Sequence, residues 1–295
     1  KRHLLGTGKR GEDVMSGLIY GSRVSLAVGF FSMLISGVIG IALGALAGYM
    51  GDATLKTSKG ITIALSVGIL PAWFYGFQTT SELLPAMNWV LKGIICFTVF
   101  LILLLLFGWL GKLISGRITA LKKMLFFPVD TIITKVVELT ASLPVLLLIL
   151  IVASIAKPAI SSLIWIIGLT SWTEITRLTR AEILRIRHLD YIKSARSSGI
   201  SHWRIIMKHV LPNALNPAII YLTFGAAGAI LIESALSFLG VGVPPEVATW
   251  GGIIAAGKQN FSAWWMVLFP GMMLFMTVSS IYVLGMNLQK KRNPD

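Results

Sequence analysis

Residues 24–49 read VSLAVGFFSMLISGVIGIALGALAGY and contain no charged side chain. A helix of about 20 apolar residues is long enough to cross the roughly 30 Å hydrocarbon core of a bilayer. The chain as a whole is 55% hydrophobic and 13% charged, a balance that water-soluble globules of this size rarely have. We therefore predict an all-α polytopic membrane protein with spans at 24–49, 61–80, 93–111, 139–156, 158–176, 211–236 and 264–287.

The formal net charge of +14 would suggest nucleic-acid binding in a soluble protein, so the positions of the basic residues decide its meaning. Basic-rich and basic-poor loops alternate along the chain, which is the pattern that sets membrane topology. We expect no nucleic-acid partner, and we expect the basic-rich segments to be cytoplasmic. These segments are 50–60, 112–135, 174–210 and the tail 290–295, and the loops between them hold Lys92, Lys157 and Lys258.

The first segment, residues 1–23, departs from this alternation. Seven spans with a cytoplasmic tail place it outside, yet it is basic. We therefore expect 1–23 to be an external loop that follows a further span absent from this sequence.

Residues that could carry chemistry are sparse. Cys96 is the single cysteine and the histidines lack metal-ligand spacing, so we expect no metal and no cofactor. The run Gly6-Thr7-Gly8-Lys9 is not a phosphate-binding loop, because Arg10 stands where Ser or Thr is required. Any ATP hydrolysis is expected on a partner rather than on this chain.

Two features lie inside predicted spans. Gly40, Gly44 and Gly48 continue a four-residue spacing from Ser36, which favours close helix packing, with a role in a translocation path as the alternative. Glu233 lies where an ionised carboxylate facing lipid would cost several kcal/mol, so it should face protein or a water-filled cavity. A functional role and a structural hydrogen bond are both open for it.

The stretch 190–213 reads DYIKSARSSGISHWRIIMKHVLPN and predicts two short helices separated by a turn at Gly199. Asp190 and Ser201 are the predicted N-caps. An apolar stripe of Ile200, Trp203, Met207 and Val210, with Arg204 and Lys208 beside it, predicts an amphipathic element that lies on lipid headgroups or docks into a partner.

This stretch resembles the cytoplasmic coupling loop of binding-protein-dependent ABC importer permeases. That pattern runs Glu-Ala-Ala, three residues, Gly, then a hydrophobic stretch ending in Leu-Pro. Here the run is Lys193-Ser194-Ala195, then Gly199, then Leu211-Pro212, so the first two positions depart from the pattern.

Further runs resemble the second permease of dipeptide, oligopeptide or nickel importers. The resemblance covers roughly 1–52 and 128–290, which leaves 53–127 as an inserted pair of spans. The runs are His3-Leu4-Leu5-Gly6-Thr7 with Gly11-Glu12-Asp13-Val14, Ile19 to Leu26, Glu233 to Gly242, Trp250-Gly251 and Phe269-Pro270-Gly271.

The resemblance implies a type I ABC importer transmembrane domain over 24–289 with two extra spans, in a bacterial cytoplasmic membrane. The implied partners are a second permease subunit, two cytoplasmic ABC ATPase subunits, an external substrate-binding protein and the lipid bilayer. The implied substrate is a di- or oligopeptide. A nickel chelate, or a channel or scaffold without an ATPase partner, is the alternative.

The resemblance also implies that residues 190–208 fit a groove on the ATPase. The expected coupling residues are Asp190, Lys193, Ser194, Ala195, Arg196, Gly199, Trp203 and Arg204. Glu233 and Ser237 are expected to border the translocation pathway.

Overall fold

The computed structural model describes residues 3–8, 11–52, 55–85, 87, 89–258 and 262–292. The described chain is largely helical, and it divides into two compact units, residues 1–49 with 132–295 and residues 50–131. The α-helices in chain order are α1 (Val14–Met50), α2 (Lys59–Trp73), α3 (Thr80–Leu83), α4 (Trp89–Arg117), α5 (Val129–Ala141), α6 (Val145–Ile155), α7 (Ile160–Thr170), α8 (Trp172–Ile186), α9 (Asp190–Ser197), α10 (His202–Ile205), α11 (Leu211–Phe238), α12 (Trp250–Lys258) and α13 (Trp265–Arg292).

Helix α1 begins earlier than predicted. The Asp13 carboxyl accepts a hydrogen bond from the Ser16 backbone N–H at 3.0 Å, which satisfies a free donor of the first turn. Gly51 has φ +58 and ends the helix, as is common for glycine after a last turn. Residues 14–23, predicted as part of a loop, are therefore helical.

Helices long and apolar enough to cross a membrane occur at five places in the described chain. They coincide with five of the predicted spans. Their bounds are Val14–Met50, Lys59–Leu83, Leu91–Arg117, Trp203–Phe238 and Trp265–Lys291.

The other two predicted spans are interrupted. Window 139–156 is divided between α5 and α6, which meet at 78°. Pro144 precedes α6 in an extended conformation, and a proline disfavours helical geometry in the residue before it. Window 158–176 is divided at Ser171 into α7 and α8, and α7 with 11 residues is only about 16 Å long. Each of these two windows is therefore divided between two helices.

The larger unit is held together by three clusters of buried apolar side chains. One joins α1, α6, α7 and α11, the second joins the end of α1 to α8, α9 and the start of α11, and the third joins the start of α1 to α11, α12 and α13. Helix α1 contributes to all three, so it is the common support of this unit.

The predicted glycine stripe of α1 packs directly against α8. A Cβ atom added at Gly40, Gly44 or Gly48 would lie 2.7 to 2.9 Å from atoms of α8, including the carbonyl oxygens of Trp172, Thr176 and Arg180. Real Cβ atoms do not approach this closely, so glycine is what lets the two backbones touch. The Ser36 hydroxyl donates to the Gly168 carbonyl at 2.9 Å and extends the contact to α7.

The second unit is a helical hairpin with a small sheet at its base. Helix α2 continues through a π-helical segment, Phe74–Thr79, into α3 and packs along α4. A Cβ at Gly111 would lie 2.8 Å from the Gly60 carbonyl oxygen, so this pair is also in backbone contact. Strands β1 (Lys56–Ser58) and β2 (Met124–Phe126) pair antiparallel, with Lys56 opposite Phe126.

Replacement of Gly44 by Ala is expected to lower the free energy of unfolding by about 1–3 kcal/mol, because α8 must move to admit the methyl group. The matched control is Gly228→Ala in α11, where nothing lies within 4 Å of the added Cβ. Alanine there should be neutral or stabilising by up to about 1 kcal/mol. Thermal melts of the two variants in the same detergent provide the measurement; equal melting temperatures would contradict close α1–α8 packing.

Candidate functional site

The segment 190–208, called the coupling segment below, is attached to the larger unit by buried apolar side chains. Ile192 and Ile205 are fully buried in one cluster with Val210. The same cluster contains Tyr49 at the end of α1 and Ile183 on α8. The coupling segment is therefore fixed to the ends of three long elements, α1, α8 and α11.

The turn of the coupling segment depends on Gly199. This residue has φ +76, and the Ile200 N–H donates to the Ala195 carbonyl at 3.3 Å. A glycine in this conformation, followed by a residue bonded back across the last turn, is a common way to end a helix. No atom lies within 4 Å of an added Cβ, so a larger residue would be disfavoured by its backbone conformation rather than by a clash.

The residues of the predicted apolar stripe divide between the interior and the surface. Val210 is buried and Ile200 half-buried, but Trp203 is 70% exposed and Met207 47% exposed. A π-helical segment, Ile206–Val210, has a wider turn than an α-helix, so Val210 is buried on the same side as Ile205. It ends at Val210, two residues before Pro212, which has no N–H to donate.

Polar residues occupy the outer surface of the coupling segment. Lys193 donates to the Asp190 carboxyl at 2.9 Å, and this hydrogen bond and the lysine charge lower the pKa of Asp190. The pair is therefore complete at neutral pH and is lost only as the pH falls through that lowered pKa. Asp190 is the predicted N-cap, but it is the first residue of α9. The carbonyl of the preceding residue, Leu189, accepts the first helical hydrogen bond, from the Lys193 N–H at 3.2 Å.

The other predicted coupling residues are mostly on the surface. Ser194, Gly199 and Arg204 are exposed, and Ala195 is half-buried against the apolar cluster. The side chain of Arg196 lies outside the described residues.

Glu233 lies inside the packed helices of the larger unit. Its side chain is fully buried, and the hydroxyls of Ser25 and Ser237 donate to its two carboxyl oxygens at 2.8 Å each. The Ser234 hydroxyl donates a third hydrogen bond at 3.3 Å. The carboxyl group therefore joins α1 to α11, and this geometry favours its structural hydrogen-bonding role; its position on a pathway stays a prediction.

A polar cavity of about 570 Å³ lies between α5 and α8. Glu138 and Ser142 border it from one side, and Thr176, Arg177 and Arg180 from the other. The sequence interpretation missed these residues because the two helices are far apart in the chain. The sequence does show that polar residues recur at helical spacing in both segments. This spacing predicts a polar face on α5 and another on α8.

More than half of the chain matches the model of one known protein family. Residues 112–293 match the model of the binding-protein-dependent transport system inner membrane component. The chain belongs to this family. The permease is therefore one component of an ABC transporter, a multi-pass inner-membrane protein that does not itself hydrolyse ATP. Membership implies partner ATPase subunits and a binding protein.

Individual relatives are similar over nearly the whole permease. The dipeptide transport system permease protein DppC of Bacillus subtilis (strain 168) is 26% identical over 294 residues, which cover 99% of this chain and 68% of that protein. The DppC protein of Alkalihalophilus pseudofirmus is 25% identical over 293 residues, 99% of this chain and 72% of that protein.

Among solved structures, a chain of the MetNI methionine ABC transporter in an inward-facing conformation has a TM-score of 0.60. It is 14% identical in sequence, and the match covers 95% of the permease and 98% of that chain. At this identity the likeness establishes the fold alone, that of an ABC importer transmembrane domain.

Replacement of Glu233 separates its two proposed roles. Glu233→Leu leaves three buried hydroxyls without an acceptor and is expected to cost about 3 kcal/mol of stability. Glu233→Gln keeps the shape and one acceptor oxygen, and its amide N–H can donate to the hydroxyl that loses its acceptor, so the cost should be about 1 kcal/mol.

Thermal melts and solute uptake are measured together for both variants. A structural role predicts that Glu233→Gln retains uptake. A stable Glu233→Gln protein that has lost uptake would instead place the carboxyl group on the pathway.

Proposed function

We propose that the permease carries di- or oligopeptides across the bacterial cytoplasmic membrane, driven by two cytoplasmic ATPase subunits. Two facts support the substrate class: the runs near 3–26 and 233–271 resemble the second permease of peptide importers, and similar proteins carry the name dipeptide permease. A second permease subunit would complete the pathway.

The coupling segment is the proposed contact with the ATPase. The observation that supports this assignment is the division of its side chains into two sets. Ile192 and Ile205 are buried in the permease itself, whereas Trp203, Met207 and Tyr191 are large and exposed. Exposed aromatic side chains beside polar ones are the usual anchors of protein interfaces.

The proposed mechanism depends on the buried side chains that attach the coupling segment to the helices of the permease. Movement of the ATPase subunits would displace the segment, and its buried side chains would carry α1, α8 and α11 with it. Packed helices move as rigid bodies because their interfaces are close-packed. The permease supplies geometry and no bond-making step.

The proposed topology is set by the basic residues. The loops at 112–135 and 174–210 and the C-terminal tail are assigned to the cytoplasm, because they hold most of the basic side chains. The helices of residues 50–131 are assigned as an inserted pair of spans. A pair leaves the coupling segment on the cytoplasmic side.

Trp203→Ala is expected to weaken association with the ATPase subunits by about 2 kcal/mol, or roughly 30-fold, because an exposed interface tryptophan is lost. The matched control is Trp109→Ala on α4, a tryptophan that is 57% exposed but lies outside the coupling segment. Pull-down of the ATPase from mild detergent provides the measurement.

Both variants should have the same melting temperature as the wild-type protein, since neither side chain is buried. If Trp203→Ala retains the ATPase fully, the assigned contact is wrong. If the wild-type permease retains no ATPase at all, the alternative of a channel or scaffold gains support.

The substrate class is tested by uptake into vesicles that contain the assembled transporter and its binding protein. ATP-dependent uptake of a labelled dipeptide is expected, and excess unlabelled peptide should suppress it. A nickel chelate should neither enter nor compete. Entry of the chelate without entry of peptide would favour the nickel alternative.

A further inference from the structure

The base of the helical hairpin carries six basic side chains, all exposed. The described residues provide no ion-pair partner for any of them, and Glu82 is the single acidic residue between 55 and 128. The six are Lys56, Lys59, Lys112, Arg117, Lys122 and Lys123. A partner that neutralises them must therefore come from outside the hairpin.

A two-stranded ribbon holds part of this charge in a fixed position. The Lys59 N–H donates to the Lys123 carbonyl at 2.9 Å, and the Phe127 N–H donates to the Leu55 carbonyl at 2.8 Å. The Ser58 hydroxyl lies 2.9 Å from that of Ser115, which ties the ribbon to α4. The ribbon is thus built onto the ends of α2 and α4.

One face of the ribbon combines charge with exposed apolar surface. Lys56 lies opposite Phe126, and Ser58 lies opposite Met124, so these side chains share a face. Met124 is 65% exposed and Phe126 54% exposed. The ammonium of Lys56 lies 5.4 Å from the centre of the Phe126 ring.

Membrane topology alone explains basic residues at the end of a span but does not explain the exposed apolar side chains among them. The boundary of a bilayer accommodates both, since apolar side chains reach the acyl region while lysines remain among the headgroups. We propose that the ribbon and its six cations form a binding surface for anionic phospholipid headgroups.

The test uses the full permease with a fluorescent label on the ribbon. Cys96 is the single cysteine, so Cys96→Ala with Met124→Cys allows an environment-sensitive dye, NBD, to be attached at one position. The purified protein is placed in phosphatidylcholine vesicles with increasing fractions of phosphatidylglycerol. A blue shift of the emission with the anionic lipid, reversed by high salt, is expected.

Lys122→Gln with Lys123→Gln should abolish the shift, or raise the required phosphatidylglycerol fraction roughly fivefold, because each lysine near the surface contributes to the attraction. Lys290→Gln with Lys291→Gln is the matched control, an exposed pair of adjacent lysines on α13. The control should leave the shift unchanged. Thermal melts must show that both pairs of substitutions fold like the wild-type protein.

Two results would overturn the proposal. If the emission maximum does not change with the phosphatidylglycerol fraction, the ribbon does not bind anionic lipid and a protein partner becomes the alternative. An equal loss in the control would mean that total charge, and not the ribbon, attracts the lipid.

Discussion

Backbone contact between α1 and α8 is the constraint on which the arrangement of the larger unit depends. Gly40, Gly44 and Gly48 leave no side chain between the helices, and the carbonyls of α8 lie directly against them. The contact also orients the chain just after α8, because the Arg187 guanidinium donates to the Gly48 carbonyl at 3.0 Å. A methyl group added at any of these three glycines would push α1 and α8 apart. It would thereby displace the coupling segment, which packs against the ends of both helices.

The coupling segment inherits its position from this contact. Its apolar cluster requires Tyr49 of α1 and Ile183 of α8 to lie side by side, and they do so only if the glycine stripe is in register. Close-packed interfaces have few intermediate states, so a force on the segment moves the helices together rather than bending them. The stripe, first interpreted as packing or pathway, is thereby a packing element that also positions the coupling segment.

The sequence predicts the helical class and five helices that are long and apolar enough to cross a membrane, because long charge-free windows have few alternatives in lipid. It fails where local chemistry overrides composition. Pro144 is visible in a charge-free window, but the 78° angle between α5 and α6 is not, and Asp13 starts α1 earlier than hydropathy indicates. The π-helical segment Ile206–Val210 places Val210 on the same buried side as Ile205, which an ideal helical period cannot anticipate. The cavity between α5 and α8 depends on contacts between distant parts of the chain.

Glu233 holds the N-terminal half of α1, whereas the glycine stripe lies in its C-terminal half. Its carboxyl group holds Ser25 of α1 against Ser237 of α11, and Gly251 of α12 packs onto the backbone of Ser234 beside it. The Trp250 indole N–H then donates to the Leu18 carbonyl at 3.0 Å, which joins α12 to the start of α1. Helix α1 is thus bound by polar contacts near one end and by backbone packing at the other. A helix that is held at both ends transmits a displacement along its length, which suits the role proposed for the coupling segment at one end.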